Sequence, residues 1–182
     1  MRIVAGRFGG RRLHVPAGRD TRPTGERVRE ALFSILGDAV AGARVADLYA
    51  GTGALGLEAL SRGAAQVDLY ESGRPALAVI ARNVGELGCD GEVAVVRVPL
   101  PRGLGAGPAY GVVLCDPPWG KQLGEAAIDR LLAVGRLAPG GLVVLEEAQG
   151  KLPAAAWWEA RGLLVDDERR YGDTAIAIAR RP

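Results

Sequence analysis

From residue 43 to residue 147 the chain repeats one pattern, and that pattern limits its fold more than any other feature. Short apolar runs alternate with segments of helical periodicity: "ARVADLYAG", then "ALGLEALSR"; "AQVDLYE", then Pro75 to Leu87; "EVAVVRV" and "AYGVVLCD", then "GEAAIDRLLAVGRL"; and finally "LVVLEE". Strands separated by helices have to run parallel, because the crossover returns each strand in the same direction. Runs as apolar as "GVVLC" fit strands covered on both faces. The helix ends agree: Gly63 closes the first, Pro75 opens the second with Gly88 just past its end, and Pro139-Gly140-Gly141 stops the third. After the alternation, "LLVDDERRYGDTAIAIA" reads as two strands joined directly at Tyr171-Gly172-Asp173, hence antiparallel. The expectation is an α/β fold, a mostly parallel seven-stranded sheet finished by a C-terminal antiparallel hairpin.

Residues 2–15, "RIVAGRFGGRRLHV", read as an additional N-terminal β-hairpin turning at Gly9-Gly10. A helix then runs from an N-cap at Thr24 to about Leu36, with Val28, Ala31, Leu32, Ile35 and Leu36 on its apolar face and Arg27, Arg29 and Ser34 away from it. This divides the chain into an extension, residues 1–38, and a main domain, residues 39–182. The extension is basic. Its first 30 residues hold eight arginines against three acids, whereas the whole chain has a net charge of only +2. A basic arm on a slightly acidic body suits a polyanionic partner. With 48% hydrophobic residues the chain can build a core. Cys89 and Cys115 lack metal-ligand spacing, so neither a metal site nor a disulfide scaffold is expected. No apolar run is long enough for a membrane span and no signal peptide opens the chain, so the expected location is the cytoplasm.

Two sites follow from the alternation, because open α/β sheets bind ligands at the carboxyl ends of their strands. The first is "DLYAGTGALG". Asp47 and Tyr49 end a strand, Ala50, Gly51 and Gly53 form the turn, and Gly51, Gly53 and Gly56 have G-x-G-x-x-G spacing. Glu71 follows about 20 residues later at the next strand end, where an acid can accept from ribose hydroxyls. The pair indicates an adenosine-containing cofactor without separating NAD from S-adenosylmethionine. The second is "DPPW". The Asp116 carboxylate and the carbonyls of Pro117 and Pro118 are acceptors on a stiff backbone, and Trp119 offers a face for a planar base. Such a seat suits an exocyclic amine, whose hydrogens the acceptors would hold while its lone pair is aimed at an electrophilic methyl. A hydride-transfer enzyme would need neither feature.

These residues resemble those of class I S-adenosylmethionine-dependent methyltransferases, which have a Rossmann-like fold and carry [DNS]-P-P-[YFW] here when they act on nitrogen. "RIVAGRFGGRRLHVP", "TRPTGERVREALFSIL", "DLYAGTGALGLEALSRGA", "DPPW" and "RRYGDTAIAIA" together look like the RsmD family. The resemblance implies an enzyme that methylates the N2 amine of a guanine in 16S ribosomal RNA, within a small ribosomal subunit or its precursor, and works as a monomer. It implies that Asp47 and the Gly51–Gly53 turn flank the methionine part of S-adenosylmethionine and that Glu71 holds the ribose. Asp116 and the Pro117 carbonyl would accept from guanine N2, and Trp119 would stack on the base. Arg22, Thr24, Arg27 and Arg29 belong to the "RPT-x-x-R-x-R" segment that would grip RNA and close over the site, beside Arg7, Arg11 and Arg12 of the basic arm. Val98 and Pro99 stand where many relatives have an acid or amide, so adenine must be recognised by other groups. Trp119 replaces the commoner tyrosine or phenylalanine.

Other readings of the residues are an RNA-binding assembly factor with little catalysis, an NAD-dependent oxidoreductase, or a methyltransferase acting on adenine or a protein amide. His14 is expected to be surface structure or a phosphate contact, Trp157-Trp158 core, and Lys121 either solvated or on a phosphate. Arg169 and Arg170 could extend the basic face.

Overall fold

In a computed structural model that describes residues 1–16 and 25–182, alternate residues of each central strand feed two separate cores. The parallel strands are β1 (Arg44–Leu48), β2 (Gln66–Glu71), β3 (Val93–Arg97), β4 (Tyr110–Cys115) and β5 (Leu137–Ala148). The last two, β6 (Leu164–Tyr171) and β7 (Thr174–Arg180), pair antiparallel, and β7 joins β5 in the same sense. The sheet order is β3-β2-β1-β4-β5-β7-β6. Its reversal lies between β1 and β4, the place where such sheets open a crevice. The expected parallel sheet and terminal hairpin are both present.

One core receives Val45, Val67, Leu69, Val112 and Leu114 of the sheet. Against them pack α1 (Glu26–Leu36), α2 (Ala54–Ser61) and α3 (Arg74–Leu87), together with Ile3 and Leu13. The other core receives Leu48, Tyr70, Val113, Cys115 and Leu145, covered by α4 (Leu123–Ala133) and by Trp158 of α5 (Ala155–Glu159). The described residues of the N-terminal extension thus share a core with the sheet. Trp158 is fully buried, as expected of a core residue; Trp157, which it meets edge to face at 4.9 Å, is half-buried with the Arg161 guanidinium 3.8 Å over its ring.

Three local expectations are corrected. First, no two-residue hairpin forms at Gly9-Gly10. The ends of the segment do pair antiparallel, at an Arg2–Arg12 bridge flanked by Ile3 N–H to Arg11 O at 2.9 Å and Leu13 N–H to Met1 O at 3.0 Å, but the connection is a wide loop that closes through Gly10 N–H to Ile3 O at 2.9 Å. The cause is long-range. The Glu58 carboxylate on α2 accepts from Val4 and Ala5 N–H at 2.7 and 3.1 Å, and Ser61 accepts from Arg7 and Phe8 N–H at 2.8 and 2.9 Å. Backbone donors that a hairpin would pair internally are satisfied by the helix instead. Gly6 adopts φ +80° to bring the loop against Ser61.

Second, α1 starts from Gly25 without a side-chain cap, while Thr24 lies outside the described residues. Its buried stripe is Arg29, Leu32, Phe33 and Leu36, and Ile35 points outward. Arg29, expected away from the apolar face, is on the buried one. Third, the helix before β5 ends at Ala133, two residues before Gly135 (φ +69°), not at Pro139. Pro139-Gly140-Gly141 is absorbed as a bulge inside β5, where pairing jumps from Tyr110↔Leu137 to Val112↔Leu142.

Candidate active site

The carboxyl ends of β1, β2 and β4 open into a cavity of about 600 Å³, within the range of small-molecule sites. Asp47, Tyr49, Ala50, Gly51, Glu71, Asp116, Pro117 and Pro118 all line it. The glycine turn and the Asp-Pro-Pro segment, about 65 residues apart in sequence, therefore face one space.

The turn is held by two carboxylates. Asp47 is 1% exposed, and its Oδ2 accepts from Gly56 N–H at 2.8 Å, tying the end of β1 to the first turn of α2. Gly56 has to lack a side chain, since a Cβ there would strike Leu69 and Val67 of β2 and reach Asp47 Cβ at 3.1 Å. Burial pushes the Asp47 carboxyl up to about 7; the Gly56 N–H opposes this and the nearby Glu71 charge adds to it. Glu71 Oε2 accepts from Gly51 N–H at 2.9 Å, and its Oε1 accepts from Ser72 and Gly73 N–H, both at 2.7 Å. The acid expected to meet a ribose thus also anchors the turn. A carboxylate has about four acceptor positions, so this one keeps capacity for a ligand hydroxyl.

Tyr49 sits at φ +66°, which is uncommon for a bulky residue. Its hydroxyl donates to Leu123 O at 3.0 Å and so links the turn to the start of α4. Burial raises the Tyr49 pKa, so the phenol stays protonated and can donate. Gly53, at φ +78°, begins α2.

Asp116 follows β4, with its N–H toward Leu48 O at 3.4 Å, and is half-buried at the cavity wall. Pro117 is buried and Pro118 exposed. Trp119 is half-buried and is not among the residues lining the cavity. The segment is anchored by a residue that motif reading missed. Glu147, at the end of β5 and 3% exposed, accepts from Gly120 N–H at 3.1 Å and from Ala148 N–H at 2.8 Å. The adjacent acids ending the apolar run "LVVLEE" were the available signal. Also missed were Tyr70 and Leu100, which line the cavity beside Val98 and Pro99, and Asn83. The Asn83 amide donates to Thr52 O at 3.0 Å and His14 O at 3.2 Å, joining the glycine turn to the N-terminal segment.

The basic residues fall into three groups. Arg7, Arg11, Arg12 and Arg27 are exposed; Arg7 also pairs with Glu92 at 2.7 Å, and Arg11 donates to Glu86 O at 2.6 Å. Arg22, like Thr24, lies outside the described residues. Arg29 is 1% exposed, so it offers no surface to RNA; it lines the cavity instead. His14 pairs with Glu86 at 2.9 Å, a structural surface contact. Lys121, Arg169 and Arg170 are exposed. Among the described residues no helix is long and apolar enough to cross a membrane.

Comparison with known proteins agrees with this geometry. The family described as conserved hypothetical protein 95 matches residues 1–180. Ribosomal RNA small subunit methyltransferase D of Escherichia coli (strain K12) is 39% identical over 155 residues, covering 84% of this chain and 78% of the relative. The YlbH protein of Bacillus subtilis (strain 168) is 31% identical over 183 residues, covering 98% of this chain and 97% of its own. A solved Escherichia coli structure superposes on the whole chain and 97% of its own length, with a TM-score of 0.85 and 34% identity. With the seven-stranded sheet and the cavity at its reversal, these matches show that the chain belongs to the conserved hypothetical protein 95 family, that of ribosomal RNA small subunit methyltransferase D, and has the class I methyltransferase fold.

Proposed function

We propose that this chain transfers a methyl group from S-adenosylmethionine to the exocyclic N2 amine of a guanine in small-subunit ribosomal RNA, acting as a monomer on the subunit or its precursor. The observation that carries this reading is the shared cavity, in which Asp116, Pro117 and Pro118 face the same space as Gly51 and Glu71. The cofactor fits the residues present. Glu71 retains acceptor capacity for ribose hydroxyls, the glycine turn allows close approach, and Tyr70, Val98, Pro99 and Leu100 give a largely apolar wall for a purine. When bound, S-adenosylmethionine supplies a methyl carbon made electrophilic by its sulfonium.

The protein's own groups then act on the amine. A guanine N2 lone pair is delocalised into the ring and is a poor nucleophile. Asp116 and the Pro117 carbonyl accept its two hydrogens, which favours a pyramidal nitrogen with a localised lone pair. Pro117 and Pro118 restrict the backbone, and Glu147 fixes the segment through Gly120, so these acceptors are held before the base arrives. The amine so aimed would accept that methyl group, with the sulfur retaining the bonding electrons, and the Asp116 carboxylate would take the proton the nitrogen has to lose and pass it to water. Trp119 supplies the stacking face for the base. Exposed Arg7, Arg11, Arg12 and Arg27 supply phosphate contacts.

The test is labelled methyl transfer to small subunits and to naked ribosomal RNA lacking the modification, followed by mapping of the modified base. N2-methylguanosine at one position supports the proposal; label on adenine or protein refutes it. Asp116→Ala is expected to abolish transfer while leaving S-adenosylhomocysteine affinity within about threefold, because its contacts are to the amine.

A further inference from the structure

The titratable residues that line the cavity are mostly acids. Asp47, Glu71 and Asp116 all contribute carboxylates. Among the described residues, the one arginine or lysine that lines it is Arg29, carried in from α1 and 1% exposed. Its position is well defined. Nη2 donates to Arg2 O at 2.5 Å, and Nε lies 3.9 Å from Glu58 Oε2. Arg62 approaches the same carboxylate more closely, at 2.7 Å, and Val4 and Ala5 N–H also donate to it. Arg29 and Arg62 thus both approach Glu58, and Thr52, with Ala54 and Leu55 of the first turn of α2, lines the cavity as Arg29 does. Burial lowers the Arg29 pKa and the Glu58 and Glu26 charges oppose this; an arginine so placed remains a cation.

A buried cation on a ligand cavity recognises an anionic group. Resting on the reading that S-adenosylmethionine is the cofactor, its chemistry offers one such group. The sulfonium and ammonium are cationic and suit the Asp47, Glu71 and Asp116 side. The carboxylate of the methionine part would be repelled there. We propose that Arg29 is the receptor for the cofactor's carboxylate. This assigns to cofactor recognition a residue of the "RPT-x-x-R-x-R" segment whose sequence context suggested an RNA contact. Since α1 carries both Arg29 and the exposed Arg27, cofactor occupancy and the placement of Arg27 share one helix.

The experiment is a two-by-two binding cycle by calorimetry: wild type and Arg29→Met, each with S-adenosylhomocysteine and with its decarboxylated analogue. In wild type, removing the carboxylate is expected to weaken binding roughly 10- to 100-fold, the size of a charge-assisted hydrogen bond. In Arg29→Met, S-adenosylhomocysteine falls by the same factor, whereas the decarboxylated analogue stays within about twofold of wild type. An equal loss for both ligands makes Arg29 a structural pin and overturns the proposal; so does a variant that still discriminates like wild type. Should Arg29→Met fail to fold, Arg29→Lys enters the same cycle, with discrimination expected to shrink but not vanish. The wild-type Arg29 Nε–H resonance, assigned from the lysine variant, is expected to shift with S-adenosylhomocysteine and not with the analogue; equal shifts overturn the proposal. Wild type that binds neither ligand points to a wrong cofactor. Wild type that binds both equally points to a wrong partner for Arg29.

Discussion

Asp47 makes the site's stability depend on pH in a direction opposite to that of most carboxylates. Its carboxyl is fully buried, and its pKa rises from 3.8 to about 7. The folded protein therefore holds this proton more tightly than the unfolded chain does. Between pH 4 and 7 the native state binds more protons than the unfolded state, so stability contributed by this group falls as pH rises and levels off above the folded pKa. Asp47→Asn removes the titration while keeping an amide oxygen to accept from Gly56 N–H, now 2.8 Å from Oδ2. From pH 5 to the folded pKa near 7 is about two pH units at roughly 1.4 kcal/mol each, and little more accrues up to pH 8. The variant is thus expected to gain about 3 kcal/mol relative to wild type between pH 5 and pH 8, all other groups cancelling in the difference. Urea unfolding of both proteins at half-unit pH steps measures it. Parallel stability curves would refute the argument, because they would mean that Asp47 ionises in the folded state as it does in the unfolded chain. The same titration reaches the proposed chemistry: affinity for a cationic cofactor rises through pH 7 in wild type, and the Asn variant lacks that rise.

Two further outcomes follow from the buried polar contacts and the exposed arginines. Glu58→Gln replaces a fully buried carboxylate that accepts from Val4 and Ala5 N–H and pairs with Arg62; it is expected to cost about 3–5 kcal/mol in chemical unfolding, with the N-terminal segment losing hydrogen-exchange protection first. Neutralising Arg7, Arg11, Arg12 and Arg27 together to glutamine is expected to leave cofactor affinity unchanged and to reduce the slope of log affinity for RNA against log salt by about 0.7 per lost phosphate contact; an unchanged slope removes these residues from the RNA interface.

What could be read in advance was what neighbouring residues decide among themselves. The glycine turn was legible because Gly53 needs a left-handed backbone and Gly56 needs contact with β2, and both demands leave glycine at fixed spacing. Glu71 was legible as an acid at a strand end. Its grip on Gly51 was not, since that depends on how two adjacent loops fold toward each other. The phase of α1 misled for a similar reason. Counting apolar residues places Ile35 inside and Arg29 outside. The helix is instead turned so that Phe33 packs inside and Arg29 meets Arg2 O and Glu58, partners 27 residues before it and 29 after it. Periodicity carries no information about partners at that distance. Pro139-Gly140-Gly141 looked like a stop because its residues suit one, and only the pairing of β5 with β4 and with Arg181, just after β7, shows the bulge that absorbs it.

The N-terminal segment is the clearest case in which structure changes what an experiment can mean. Read from composition, it is a basic arm, and deleting residues 1–19 is the obvious test of RNA contact. Yet Ile3 and Leu13 are buried in the core shared with α2 and α3, and Val4 and Ala5 carry the N–H groups that satisfy Glu58. Met1 and Pro16 line the same cavity as Gly51 and Asp116, and the Asn83 amide joins Thr52 of the glycine turn to His14. A deletion would strip a wall from the cavity and leave a buried carboxylate without two of its donors, so lost activity would say nothing about RNA. Charge neutralisation at exposed arginines separates the two roles. The same contacts tie the segment, through Glu58 and Asn83, to α2 and to the glycine turn beside the cavity, so its backbone cannot be removed without disturbing both.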